Sequence, residues 1–142
     1  LELGDEVYWL CPRAETARLL EACGYPQHHT GQALVVGGGK TGFVVARELE
    51  QQKVNTRVLE KARPQAEWLA QQLEQTTVIC ADALNKAVLL EENVRQMDVV
   101  ACMTDNDATN ILAALQLRGL GVANVIVLIK ESNLLEMAAQ LG

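Results

Sequence analysis

The run LVVGGGKTG, residues 34–42, contains two overlapping phosphate-binding signatures. Gly39-Lys40-Thr41 matches the end of a P-loop, which cradles a nucleoside triphosphate. A P-loop also needs a glycine at position 34, where this sequence has Leu34. Gly37, Gly39 and Gly42 instead fit every position of G-x-G-x-x-G, the signature of a dinucleotide-binding turn. The spacing therefore favours dinucleotide binding over triphosphate hydrolysis.

Each glycine of this turn has a physical role in the dinucleotide interpretation. Gly37 makes the tight turn, Gly39 lets the backbone approach a pyrophosphate without a Cβ in the way, and Gly42 lets the following helix pack closely on the strand. The phosphates would lie on free N–H groups at the helix N-terminus. The sequence thus predicts cofactor contacts from Gly37, Gly38, Gly39, Lys40, Thr41 and Gly42.

An acidic residue follows at the distance expected for a ribose contact. Glu60 ends the next predicted strand, about 20 residues downstream, where a carboxylate accepts hydrogen bonds from ribose hydroxyls. The alternative is a solvated strand end. A carboxylate here would repel a 2′-phosphate, so NAD is expected to bind better than NADP. Lys61 and Arg63 leave that question open, because a nearby cation accommodates the extra phosphate.

Further polar residues follow the third and fourth predicted strands, at the edge where open α/β sheets bind ligands. Asp82 follows the third strand, and ligand contact and a helix cap are equally supported for it. Thr104 begins the polar run after the fourth strand. Within that run a helix N-cap is the preferred interpretation of Asp107. Asn110, in the first turn of the next helix, is expected to face the crevice.

The elements that must position these residues alternate along the chain. Predicted strands at 33–36, 54–59, 76–80, 98–103 and 125–129 alternate with predicted helices at 41–52, from 64, at 87–90, 107–120 and 132–141. Short connections between alternating elements imply parallel strands. The predicted fold class is α/β, a Rossmann-like doubly wound parallel sheet with helices on both faces.

The first residues lie outside this alternation of strands and helices. A strand at 6–11 and a helix at 14–22 are too few to make a core, and the polar, Gly- and Pro-containing stretch after them is typical of a linker. We therefore expect three parts: 1–24 as a strand-helix remnant of an upstream domain, 25–32 as a linker, and 33–142 as a nucleotide-binding domain that is truncated at its C-terminal end.

Composition excludes several partners. A net charge of −6 and a pI near 4.9 argue against a nucleic-acid surface, which needs clustered cations. No window approaches the roughly 20 apolar residues of a membrane span, so no direct membrane insertion is expected. The four cysteines lack metal-ligand spacing and are expected to be reduced thiols of a cytoplasmic protein, with Cys80 and Cys102 buried in strands. No metal site is predicted.

Four stretches, VVGGGKTG, VLEK, CADA and TDNDATNIL, carry a family resemblance. With them, 33–142 resembles the nucleotide-binding domain of the RCK/KTN family of potassium transport regulators, most closely its TrkA-type members, the peripheral subunits of bacterial Trk potassium uptake systems. The stretch LELGDEVYWLCPRAETARLLEACG, at 1–24, resembles the end of the small C-terminal domain of the same family.

The resemblance implies regulation rather than catalysis. It implies binding of NAD or NADH, with ATP or ADP as the alternative, assembly as a homodimer or larger homo-oligomer, and a membrane-embedded potassium transporter subunit as partner at the inner face of the cell membrane. It also assigns the glycine turn to the pyrophosphate, Glu60 to ribose, Lys61 as a nearby cation, Asp82 and Ala83 to adenine, and Thr104 and Asn110 to the opposite half of the crevice. Ala81 and Lys61 depart from the glycine and arginine common in the family.

Two alternatives share the predicted fold. One is the NAD-binding half of a dehydrogenase; hydride transfer usually needs His, Tyr or Lys beside the carbonyl, and 32–142 contains no His and no Tyr. The other is the ligand-sensing domain of a Kef-type potassium efflux transporter. In the regulatory hypothesis the predicted helix 107–120, with Leu112, Leu115 and Leu117, is a candidate dimer surface as well as core.

Overall fold

Five short strands form one sheet in a computed structural model, which describes residues 9–24, 30–131 and 134. The strands lie in the order β3-β2-β1-β4-β5, and each neighbouring pair is parallel. They are β1 (Gln32–Val36), β2 (Asn55–Glu60), β3 (Thr77–Cys80), β4 (Val99–Cys102) and β5 (Val125–Val127). The predicted parallel α/β sheet is confirmed.

One α-helix follows each of the first four strands, and one more precedes the sheet. The helices are α1 (Thr16–Ala22), α2 (Lys40–Gln51), α3 (Arg63–Gln72), α4 (Lys86–Glu91) and α5 (Asp107–Gly119). Pro64 lies in the first turn of α3, where its missing N–H costs no intrahelical bond. Asn85 caps α4, because its side chain accepts a hydrogen bond from the Ala87 N–H at 3.0 Å. A 3-10 turn, Val94–Gln96, leads into β4 and was not predicted.

Helices cover both faces of the sheet, as the doubly wound prediction requires. Leu34 and Val36 of β1 belong to a core that includes Leu117 of α5 and Leu89 of α4. Val35 belongs to the opposite core, with residues of α2 and α3. Successive strand residues point to opposite faces. A central strand covered on both faces must therefore be apolar throughout, which explains the unbroken run before the glycines.

Of the two cysteines expected to be buried in strands, one is buried and the other is not. Cys102 is buried in β4, and its burial raises the pKa of the thiol to about 12. Cys80 is exposed, because it is the last residue of β3, a short strand at the edge of the sheet. Leu117 is wholly buried and serves the core, whereas Leu112 and Leu115 on the same helix are exposed.

The predictions for the two ends are only partly tested. The helix expected at 14–22 is confirmed as a 3-10 turn, Arg13–Glu15, that continues into α1. Half of the strand expected at 6–11 falls outside the described residues, and 9–11 within them form no strand. The helix expected at 132–141 lies outside them except for Leu134. Across the described part of the chain, no helix is long and apolar enough to cross a membrane.

Candidate functional site

An open crevice of about 550 Å³ lies at the carboxyl ends of the first four strands. It opens at the point where the strand order reverses. The chain places β2 and β3 on one side of β1, and then crosses to place β4 and β5 on the other side. Open α/β sheets bind ligands at this switch point. The lining residues are Val36, Gly37, Gly39, Leu59, Glu60, Lys61, Ala62, Gln65, Ala81, Asp82, Ala83, Leu84, Thr104, Asp105, Asn106 and Thr109.

The glycine turn is shaped by its neighbours. Gly37 has φ +95°, and a Cβ there would lie 2.8 Å from the backbone N of Thr104. A Cβ on Gly42 would overlap the carbonyl oxygen of Gly37. Gly39 differs, because a Cβ there would meet nothing within 4 Å and its backbone is extended, with φ −67°. The first and third glycines are therefore required by packing, whereas the second borders open space.

Glu60 holds the turn in place. Its Oε2 accepts a hydrogen bond from the Gly38 N–H at 2.7 Å, and its Oε1 accepts one from the Ala62 N–H at 2.7 Å. Gln65 donates from Nε2 to the carbonyl oxygen of Gly38, also at 2.7 Å. The N–H and the carbonyl oxygen of Gly38 are thus both hydrogen-bonded to side chains. A carboxylate oxygen has a second lone pair, so Glu60 retains the capacity to accept from a ligand.

Lys61 and Asp82 form an ion pair on the same side of the crevice as Glu60, with Lys61 Nζ 2.7 Å from Asp82 Oδ2. Asp82 also accepts a hydrogen bond from the Leu84 N–H at 2.9 Å. The Lys61 ammonium and, second, the Leu84 N–H lower the pKa of Asp82, and Asp82 in turn raises the pKa of Lys61. The helix-cap interpretation of Asp82 is wrong, because Asn85 caps α4.

Asn110 is wholly buried and does not line the crevice, so the expectation that it faces the crevice is wrong. Its Oδ1 accepts from both the backbone N–H and the hydroxyl of Thr104, and its Nδ2 donates to the carbonyl oxygens of Thr104 and Leu128. Four bonds compensate for burying the amide. Asn110 thus supports Thr104, which does line the crevice, from behind.

Asp107 was expected to be the N-cap of α5, and this expectation is wrong. Asn106 is the N-cap, and its Oδ1 accepts from the Thr109 N–H at 2.8 Å. The buried carboxylate of Asp107 instead accepts from the backbone N–H groups of Lys130 and Glu131 through Oδ2, at 2.7 and 2.8 Å. Within the described ranges, its other oxygen has no hydrogen-bond partner.

The structure brings seven of the predicted site residues together around the crevice: Gly37, Gly39, Glu60, Lys61, Asp82, Ala83 and Thr104. Five others do not line it: Gly38 and Gly42 are buried, Lys40 and Thr41 are exposed in the first turn of α2, and Asn110 lies behind Thr104. Gln65 was missed, because a glutamine in an ordinary helical pattern carries no motif. Where the structure describes the chain, no group of three or more His, Cys, Asp or Glu residues could hold a metal ion.

The strand order, the glycine turn into α2 and the acid at the end of β2 define the class as a Rossmann-type domain. Comparison with known proteins gives the family. The sequence profile of the TrkA-N domain matches 33–142, so the chain belongs to the TrkA-N domain family.

Two curated relatives carry the name Trk system potassium uptake protein TrkA. The one from Vibrio alginolyticus is 32% identical over 131 residues, and the match covers 92% of this chain and 28% of that protein. The one from Azorhizobium caulinodans is 30% identical over 144 residues, covering 100% of this chain and 31% of that protein. The chain thus spans less than a third of the length of either relative.

Two solved structures share the fold. The NAD(P)-binding domain of an exopolyphosphatase-related protein from Archaeoglobus fulgidus superposes with a TM-score of 0.71 at 18% identity, over 80% of this chain and 84% of that one. The GsuK channel bound to NAD superposes with a TM-score of 0.70 at 20% identity, over 89% of this chain and 24% of that one. At these identities the likeness is one of fold.

Proposed function

We propose that this chain is a nucleotide-binding regulatory module of a potassium transport system, and that NAD or NADH occupies the crevice. The observation that carries the proposal is the crevice itself, bordered by Gly39 at the start of α2 and by Glu60 at the end of β2. The names of the TrkA relatives supply the potassium context.

In this proposal, each part of the dinucleotide contacts different residues of the site. The pyrophosphate lies at the N-terminus of α2, where the N–H groups of Lys40 and Thr41 in the first turn lack intrahelical partners. Glu60 accepts from the adenosine ribose through its remaining lone pairs. Asp82 and Ala83 border the adenine, and Thr104 borders the half of the crevice that the rest of the dinucleotide enters.

Regulation fits the chemistry of the lining better than catalysis does. A general acid or base works best with a pKa near the operating pH. Among the described lining residues there is no His or Tyr, and the pKa of Lys61 is raised by Asp82, away from neutrality. The described lining therefore lacks the His, the Tyr or the Lys of lowered pKa that usually transfers the proton beside a hydride acceptor, which counts against the dehydrogenase alternative.

The mechanism in this proposal is allosteric. A nucleotide shifts a conformational equilibrium only by its differential affinity for two states. We propose that NAD(H) binding favours one arrangement of paired domains and so acts on a membrane-embedded potassium transporter subunit, with this chain on its cytoplasmic side. The relatives are named for uptake, which favours an uptake partner over an efflux partner of the Kef type.

Calorimetric titration with NADH, NAD, NADPH, ATP and ADP tests the ligand, with Gly39→Asp as the matched variant. The Asp side chain enters open space from an unstrained backbone at the N-cap of α2, where aspartate is favoured, so the variant is expected to fold. Its carboxylate would repel the pyrophosphate. Binding of NAD or NADH that Gly39→Asp loses, without turnover, supports the proposal. Preference for ATP or ADP changes the ligand, and absence of binding contradicts the proposal.

The oligomer in this proposal uses the exposed face of α5. Leu112 and Leu115 are 55% and 39% exposed, whereas Leu117 is buried. Leu112→Asp and Leu115→Asp together should therefore lower the mass measured by sedimentation velocity while the helical circular dichroism stays unchanged. Leu90→Asp, at a leucine of α4 that is 51% exposed, is the control and should leave the mass unchanged.

A further inference from the structure

The two cations that follow the predicted ribose acid are each held by a carboxylate. Lys61 Nζ lies 2.7 Å from Asp82, and Arg63 Nε lies 3.0 Å from Glu67. Lys61 is the one basic side chain among the described residues that line the crevice. The cation best placed to accept a phosphate on the adenosine ribose is therefore already paired in the structure.

Asp82 reaches Lys61 from the neighbouring strand. The Ala81 N–H donates to the backbone oxygen of Glu60 at 3.0 Å, which sets the end of β3 beside the end of β2. The Leu84 N–H then donates to Asp82 Oδ1 at 2.9 Å and leaves Oδ2 for the Lys61 ammonium. The bond to Oδ1 fixes the orientation of the Asp82 carboxylate, and Oδ2 pairs with Lys61. Asp82 therefore holds the Lys61 ammonium at this position.

We propose that Asp82 is a specificity-determining residue, which makes the crevice select NAD(H) over NADP(H) by holding Lys61. This inference rests on the proposed function and goes beyond the repulsion from Glu60. Asp82 acts through Lys61 and is therefore a positioning residue with respect to the 2′-phosphate.

The selection depends on charge balance rather than on the strength of the ion pair. Lys61 is 77% exposed, and an exposed pair contributes little to stability. A 2′-phosphate could draw Lys61 away, but it would then face an unpaired Asp82 as well as Glu60. Selection between two ligands often depends on such a repulsive group placed against the wrong one. Neutralising Asp82 removes that group and leaves Lys61 free to pair with the phosphate.

The test compares the dissociation constants of NADPH and NADH by calorimetry at low salt, for the chain and for Asp82→Asn. Because each unit of charge a few ångströms away alters binding several-fold in water, we expect Asp82→Asn to shift the ratio about tenfold towards NADPH. Asp82→Ser keeps an acceptor for the Leu84 N–H and should give a similar shift in the ratio. The test therefore does not depend on the folding of a single variant. High salt should shrink the shift through screening.

Two controls separate positioning from a change in net charge. Glu91→Gln removes one exposed carboxylate from the last residue of α4, away from the crevice, and should leave the ratio unchanged. In a Lys61→Gln background, Asp82→Asn should shift the ratio less, because only the repulsion from Asp82 is relieved and no lysine remains to be freed.

Three results would overturn the inference while the proposed function stands: NADH binding with an unaltered ratio in Asp82→Asn, a preference of the unmodified chain for NADPH, or the same gain without Lys61. Absence of binding by any nucleotide would instead contradict the proposed function and remove the basis of this inference with it.

Discussion

Asn110 and Thr104 are joined by three hydrogen bonds, two of which end on the same oxygen. Asn110 Oδ1 lies 2.8 Å from the backbone N of Thr104 and 2.7 Å from its hydroxyl, and Asn110 Nδ2 lies 3.2 Å from the Thr104 carbonyl oxygen. A fourth bond runs from Nδ2 to Leu128 beyond β5. One buried amide therefore fixes a crevice residue and the end of the next strand together.

Replacing that amide should be costly. Asn110→Ala leaves the Thr104 N–H and the Leu128 carbonyl without their side-chain partner in the interior, and we expect the free energy of unfolding to fall by about 3 kcal/mol in urea titration. Asn55→Ala, at an exposed position of β2, is the control and should change it by less than about 0.5 kcal/mol. Equal small losses for the two variants would show that the Asn110 bonds contribute no net stability.

Asp107 should protect two amide protons. Because its carboxylate accepts from the Lys130 and Glu131 N–H groups, Asp107→Ala is expected to raise their hydrogen-exchange rates at least about tenfold. The Leu128 N–H, which donates to the Cys102 carbonyl oxygen at 2.9 Å, is the internal reference. If all three amides speed up equally, the effect is global unfolding and the local role is refuted.

Glu50 should make stability fall in acid. Burial raises the pKa of Glu50, but hydrogen bonds from the Thr76 hydroxyl and from the backbone N–H groups of residues 74–76 outweigh burial and hold the pKa below 4.5. A lowered pKa in the folded state adds stability above pH 4.5, and this stability is lost as the pH falls through the folded-state value.

Melting temperatures measured between about pH 6 and about pH 3 test this expectation. Glu50→Gln should be less stable at the upper end, and its stability should fall less steeply with acid than that of the unmodified chain. Glu91→Gln, at an exposed position, is the control and should retain the original slope. A Glu50→Gln profile parallel to that of the unmodified chain would contradict the assignment.

Gly39 and Gly42 of the turn should respond differently to a side chain. Gly42→Ala places a Cβ against the Gly37 carbonyl oxygen, and we expect it to lower the free energy of unfolding by about 2 kcal/mol. Gly39→Ser meets open space and supplies a good N-cap, so it should be neutral or stabilising. Chemical denaturation of the two variants measures the contrast, and a reversed order would refute the packing argument.

The sheet was predictable because its signal is local. Residues 33–36 are all apolar, and a short unbroken apolar run bounded by glycines is typical of a strand buried on both faces. The position of Glu60 at the crevice was predictable for a similar reason, since the ends of β1 and β2 meet once the strands are parallel. Where spacing along the chain determines position, the sequence alone was sufficient.

The errors concern neighbours of similar chemistry and contacts between distant segments. Asn106 and Asp107 are both good N-cap residues in adjacent positions, and propensity cannot choose between them. The Asp107 carboxylate instead accepts a hydrogen bond from the Lys130 N–H, which lies more than 20 residues away in the sequence. Cys80 ends an apolar run, but only the sheet order shows that this strand is at the edge. These details follow from tertiary packing, which no local pattern contains.

The strand order has a consequence for how the chain acquires its shape during synthesis. β1 pairs with β2 over a short separation, Gln32 with Asn55, but its other edge pairs with β4 over a long one, Ala33 with Val99. Contacts distant in sequence form slowly, because a large loop must close first. While the ribosome is still adding β4, β1 presents a bare apolar edge, and such edges promote aggregation. The central strand is thus the first of the five to be made, and its second edge stays unpaired until the fourth strand is complete.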